Sequence, residues 1–231
     1  MPSGGELRDA AIAAEVAEVL RDDPVLREMR FALRVHGGVA HVSGRVPNAA
    51  VRERLRRVIG RVRGVNAVWE RVQIDDAPLL RVLDLGCGNR KQLAEAIGVD
   101  RHRHAAVDVI AHLERGLPFA DDSVDQVYAI HVLEHVHDLL HLMNEVHRVL
   151  RRDGVLHVMV PHWQCVNAVA DPTHCRLFHR QTFKFFCRPY PGLRPFRQLV
   201  VGESREDLFA DLQPLKGEAA ASETELARFF D

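Results

Sequence analysis

The stretch RVLDLGCGNRKQLAEAIGVD, residues 81–100, reads as a short apolar strand, a glycine turn and a second strand that ends on an aspartate. Strands over 81–85 and 96–100 would carry Asp84 and Asp100 toward one edge of a sheet, while Gly86 and Gly88 let the backbone turn tightly between them. In an open parallel sheet, ligands lie beyond the carboxyl ends of the strands. There the amides after the glycines can face an anionic group, and the Asp100 carboxylate can accept from vicinal ribose hydroxyls. The pair therefore predicts a nucleoside-containing ligand.

What the stretch lacks narrows that ligand. The third glycine of a dinucleotide G-x-G-x-x-G pattern is replaced by Lys91, and no G-K-[ST] of a phosphate-binding loop occurs in the chain. A nucleoside with a smaller anionic end remains, and S-adenosylmethionine, with an amino-acid carboxylate in place of a pyrophosphate, fits.

Outward from this stretch the chain alternates strands with helices or loops. Further strands are predicted over 105–110, 124–130 and 154–160, with a helix at LLHLMNEVHRVL between the last two. The expected fold class is α/β, a Rossmann-like doubly wound, mostly parallel sheet over residues 77–215. FRQLVV reads as a further strand, and REDLFADL fits either a strand or a short helix. Residues 216–231 are polar except for the last turn, which predicts a loosely attached tail.

Residues 1–76 follow a different grammar. Apolar positions in 7–22 recur at helical spacing, RFALRVHGGVAHVSGRV alternates about Gly37-Gly38 as a hairpin does, and Asn48 caps a second helix. NAVWERVQI reads as a third strand, and DDAPLL as the joint that ends a small α+β domain.

Composition excludes several classes. The net charge is -1, so no overall positive field draws nucleic acid. The first residues form neither a leader nor a membrane anchor, and the four cysteines contain no C-x-x-C pair, which predicts reduced thiols in the cytoplasm. Three of the 14 histidines, His162, His174 and His179, cluster with Cys165 and Cys175, but the spacing matches no compact zinc pattern, so no metal is expected. Six arginines between Arg52 and Arg63 make the second helix basic: a solvated face, or a weak contact with an anionic or lipid surface.

Two resemblances add to this reading. VSGRV, the amphipathic helix and VRGVNAVWERVQI resemble a BON domain, a small bacterial module associated with lipid or other weak surface binding. VLDLGCGN, GVD, GLPFADDSVDQVYAIHVLEHV, EVHRVLRRDGVLHVMVP and DPTHCRLFHRQTF, in that order, resemble class I S-adenosylmethionine-dependent methyltransferases of the type-11 kind. The second resemblance implies that Asp84, Gly86 and Gly88, with Cys87 between them, hold the methionine part, that Asp100 holds the ribose, and that His131 lies near the sulfonium. Relatives place an aspartate for the adenine amino group where this chain has His112, a neutral imidazole that could still accept that bond and would lose it on protonation. Arg90 stands at the family's usual third glycine, and the short link from Gly88 to Asp100 predicts an abbreviated first helix.

For an acceptor hydroxyl, His162 and His174 are the preferred catalytic bases, and His131, His135 and Asp171 also lie beyond strand ends. The expected activity is methyl transfer to a small metabolite, a sugar or a lipid head group. The competing reading is a non-catalytic sensor or adaptor that binds the cofactor and docks through its N-terminal domain.

Overall fold

The computed structural model describes residues 4–75, 80–217 and 220–230. The chain divides into two compact units, 1–79 and 80–231. The expected joint falls largely on 76–79, outside the described residues.

The first unit runs α1 (Gly4–Asp22), β1 (Phe31–His36), β2 (Val39–Val46), α2 (Ala49–Gly60) and β3 (Ala67–Ile74). Strand β2 pairs antiparallel with β1 and parallel with β3, so α2 is the crossover of a βαβ unit. Gly37 and Gly38 have φ of 56° and 81°, the left-handed values of a primed hairpin turn. The Asp9 carboxylate accepts both of their N–H groups at 2.7 and 3.0 Å, tying α1 to the turn. Ile12, Val16 and Leu20 of α1 meet Leu55 and Ile59 of α2 over the sheet. Part of the basic helix is neutralised from within: Arg52 and Arg56 both pair with Glu70, whose side chain is buried, and Arg54 pairs with Asp23.

The second unit is built on β4 (Val82–Leu85), β5 (Ile97–Asp100), β6 (Val109–Ile110), β7 (Val124–Ile130), α3 (Leu139–Val149), β8 (Leu150–Pro161), α4 (Val166–Ala170), α5 (Arg180–Cys187), β9 (Phe196–Glu203), β10 (Asp207–Pro214) and α6 (Glu223–Phe230). The strand order is β6-β5-β4-β7-β8-β10-β9. All neighbours are parallel except β10, which runs antiparallel to both β8 and β9. REDLFADL is thus a strand, settled by its ladder to β8. The chain leaves β4 toward β5 and β6 and returns to the other side of β4 as β7, so the strand order reverses between β4 and β7.

Helices α3, α5 and α6 bury their apolar sides in one core. Leu142, Met143 and Val146 of α3 are sequestered there, each worth about 1.5–3 kcal/mol relative to exposure. His147 is 5% exposed and bonds through Nε2 to the Leu215 carbonyl; burial lowers its pKa. The tail departs from expectation. Leu226 and Phe230 enter the same core, and Gln181 donates to the Phe230 carbonyl at 2.7 Å, because the apolar last turn finds a seat against α5 and β9 that polarity alone does not reveal. Among the described residues no helix is long and apolar enough to cross a membrane.

A polar clamp fixes the link between β6 and β7 to α3. Glu145 accepts the Leu117 N–H at 2.8 Å and pairs with Arg148, which also donates to the carbonyls of Leu117 and Phe119. The Arg148 bond holds the Glu145 carboxyl down at about 2, from an ordinary value of 4.5. A depressed carboxylate stabilises the fold fully above its unfolded value and loses that contribution as pH falls toward the folded one. Chemical denaturation should therefore show stability falling between pH 4.5 and about 2. Glu145→Gln should be less stable at pH 7 by about 2 kcal/mol and flatter across that window; equal slopes for the two proteins would remove the clamp from the account.

Candidate functional site

The reversal of strand order leaves a crevice at the carboxyl ends of β4, β5 and β7. Gly86 follows β4, Asp100 closes β5 and His131 follows β7. These three line one cavity of about 620 Å³ together with His112 and His174. A second cavity of about 680 Å³ shares His131, His135, Pro172 and His174 with it and adds Glu134 and Asp207.

The link from β4 to β5 contains no helix at all, a stronger departure than the abbreviation expected, and side-chain contacts hold it instead. Asp84, 2% exposed beneath the link, accepts the Gln92 N–H at 2.5 Å. Lys91 bonds to Asp108, which also accepts the Gly98 N–H at 2.8 Å. The lysine that breaks the dinucleotide pattern thus fastens the link to the segment before β6. Gly98 belongs to the same closure: a Cβ there would lie 2.2 Å from the Ala106 carbonyl and 2.7 Å from Cys87 Sγ.

The turn amides are engaged within the protein. Gly86 N–H donates to Val99 O at 2.7 Å, and Gly88 N–H to Asp100 Oδ2 at 3.1 Å. Asp100 Oδ1 takes the His102 N–H at 2.9 Å. Each oxygen keeps a further lone pair, so the carboxylate is held in place and can still accept.

Of the residues singled out from sequence, Gly86, Asp100, His112, His131 and His174 come together around the first cavity. Asp84, Cys87, Gly88 and His162 do not line it. Asp84 is used by Gln92 beneath the link. Cys87 turns its thiol toward Ala106 O at 3.6 Å, where burial and the charges of Asp84 and Asp100 push it up to about 11. His162 is 9% exposed, and its Nδ1 accepts from Gln164 N–H at 3.2 Å, because its strand end turns it into the fold. His112 Nδ1 caps the next turn by accepting the Glu114 N–H, which leaves Nε2 protonated and a donor. The role expected for it, accepting from an amino group, therefore does not suit this tautomer.

His131 adopts a left-handed φ of 54°, uncommon for a side-chain-bearing residue and often found at functional sites. Its ring stands between Glu134 Oε1 at 3.4 Å and Asp207 Oδ1 at 3.7 Å. The Glu134 bond raises its pKa, partial burial opposes this, and Asp207 adds to the rise. Glu134 escaped the sequence reading, although it follows His131 at the i,i+3 spacing and directly precedes His135.

Residues 83–158 match the family model of a methyltransferase domain, and residues 8–76 match that of a BON domain. The chain joins a BON domain to a methyltransferase domain. S-adenosylmethionine is the cofactor this methyltransferase domain implies, and a carboxylate with spare lone pairs at the edge of a nucleoside-sized cavity suits its ribose. Similar solved structures include an S-adenosylmethionine-dependent methyltransferase from Aquifex aeolicus, at 14% identity and TM-score 0.46, covering 59% of this chain and 82% of that one. Another is a type 11 methyltransferase, assigned as such provisionally, from Sulfolobus solfataricus, at 16% identity and TM-score 0.44, covering 61% and 87%. Among curated proteins none matches this sequence.

Two predictions follow from the turn in the methyltransferase domain. A Cβ on Gly86 would lie 2.5 Å from Val132 Cγ2 in a left-handed backbone, whereas one on Gly88 would meet nothing within 4 Å. Gly86→Ala should cost about 3 kcal/mol and Gly88→Ala about 1 kcal/mol in urea melts; the reverse order would contradict the packing. At pH 8, mass spectrometry after iodoacetamide treatment should find the exposed Cys175 modified about a hundredfold faster than Cys87. Comparable rates would mean that the Cys87 thiol is not buried as described.

Proposed function

We propose that this chain binds S-adenosylmethionine across the carboxyl edge of the sheet and transfers its methyl group to a small acceptor lying in the second cavity. The observation that carries this reading is the wall the two cavities share, His131, His135, Pro172 and His174, with Gly86 and Asp100 lining the first and Glu134 and Asp207 the second. The cofactor supplies a methyl group already activated on a sulfonium, so the protein's task is alignment and exclusion of water.

On this reading Asp100 accepts from the ribose hydroxyls, its orientation set by the N–H groups of Gly88 and His102. His112 donates through Nε2 to an adenine ring nitrogen while its Nδ1 keeps the cap on Glu114. Gly86 lets the chain approach the methionine part without a side chain in the way. His174 borders the acceptor, held by its Nδ1 to the Ala168 carbonyl at 3.1 Å. A metabolite, a sugar or a lipid head group is the acceptor class, and a cytoplasmic placement belongs to the same proposal. Any anionic-surface contact of the BON domain falls to Arg57, Arg61 and Arg63, which are exposed.

Titration calorimetry with S-adenosylmethionine and S-adenosylhomocysteine tests the assignment. The wild type should bind both, and Asp100→Ala should bind at least about tenfold more weakly, since each lost charge-assisted bond is worth about 1.5–3 kcal/mol. Unchanged affinity in that variant would refute the site. Tight binding with no S-adenosylhomocysteine formed from any candidate acceptor would favour the adaptor reading instead.

A further inference from the structure

The second cavity carries an arrangement that cofactor binding does not use. Glu134, His135 and His174 each place one potential ligand atom within 4.8 Å of the other two. Both oxygens of Glu134 are buried, in a residue 1% exposed that lines the cavity, and apart from the His131 imidazole neither meets a hydrogen-bond donor among the described residues. His131 Nδ1 stands 3.4 Å from one of them. A buried carboxylate with a single imidazole beside it is incompletely compensated, and a cation would relieve this.

The histidines are set for the same purpose. His174 Nδ1 faces the Ala168 carbonyl at 3.1 Å, and His135 Nδ1 faces the Thr173 carbonyl at 3.3 Å and Thr173 Oγ1 at 3.0 Å. A carbonyl can only accept, so each Nδ1 carries the proton and each Nε2 offers its lone pair, the tautomer that metal-binding histidines commonly take. The loop bearing His174 is stapled to the turn bearing Glu134 and His135 by the Cys175 N–H, which donates to Glu134 O at 2.9 Å. Two segments forty residues apart are thereby held at fixed separation. Asp171, Glu206 and Asp207 line the same cavity and add negative charge around it.

We propose that Glu134, His135 and His174 form a binding site for a divalent transition-metal ion of the zinc class, with an open coordination position facing the second cavity. A tetrahedral ion with ligands at about 2.1 Å needs donors about 3.4 Å apart, so donors within 4.8 Å of one another reach that geometry with side-chain adjustments of about 1.4 Å at most. Two imidazoles and a carboxylate suit a borderline ion better than magnesium or calcium, which favour all-oxygen sets. That the open position takes an oxygen of the methyl acceptor rests on the methyltransferase reading; binding of the ion does not.

The test uses the full chain stripped with a chelator and titrated with Zn²⁺ in a calorimeter, with Co²⁺ absorption as a second readout of coordination. One ion per chain should bind and raise the melting temperature. Glu134→Gln, His135→Asn and His174→Asn should each weaken binding at least about tenfold. His104→Asn should leave it unchanged, although His104 belongs to a separate cluster with Asp100 and His102. Failure of the wild type to bind one ion would overturn the site, as would loss in His104→Asn with retention in His174→Asn. If the buried Glu134→Gln does not fold, the exposed His135→Asn carries the decision. Calorimetry with S-adenosylhomocysteine on the same stripped protein keeps the two readings apart: zinc without cofactor binding retains the metal site and removes the methyltransferase reading, whereas cofactor without zinc removes only the metal site.

Discussion

The parallel pairing of β4 with β5 on one flank and β7 on the other is the constraint from which the rest of the second unit follows. Because the chain leaves β4 in one direction and returns on the other side, no connection covers the carboxyl ends of those strands, and three unrelated loops open onto one crevice. The register is pinned by buried apolar residues: Leu85 faces Val99 on one side and Ala129 on the other, all in the main core. A slip by one residue would turn those side chains to the opposite face, so the position of Gly86 relative to Asp100 and His131 is fixed by core packing.

Charged side chains stabilise the links that lack helices. Asp84 takes an amide of the link, Lys91 reaches Asp108, and Asp100 takes amides from both sides. Leu93 and Ala96 pack against Val82 and Tyr128, and these bonds fix the polar remainder of the link. The same bonds spend the turn's N–H groups internally, which leaves the Asp100 carboxylate as the principal polar handle on that side of the cavity. The second cavity gathers more carboxylates, Glu134, Asp171, Glu206 and Asp207, beside imidazoles that it shares with the first.

Much of this was legible in the sequence, and the misses have physical reasons. Strands over 82–85, 97–100 and 124–130 were readable because short Val- and Leu-rich runs ended on glycine or polar residues, and the Gly37-Gly38 hairpin because only a primed turn explains two glycines there. Two family resemblances, matched by the family models over 8–76 and 83–158, supplied what periodicity could not. The side-chain directions of Cys87 and His162 were not readable, since loop residues take their orientation from tertiary packing. Glu134 hid inside an apolar run where Leu133 and Val136 suggested only core, and the docking of α6 depends on a seat made by α5 and β9 that no local pattern announces.

On the proposed function a nucleoside lies between Gly86 and Asp100 with its reactive end toward His131. A crystal structure of the chain with S-adenosylhomocysteine tests this most directly. The ribose hydroxyls should lie within hydrogen-bonding distance of the Asp100 carboxylate, with the sulfur facing the second cavity past His131. A ligand seated elsewhere, or an Asp100 carboxylate that keeps only its two backbone amides while the crevice stays empty, would contradict it.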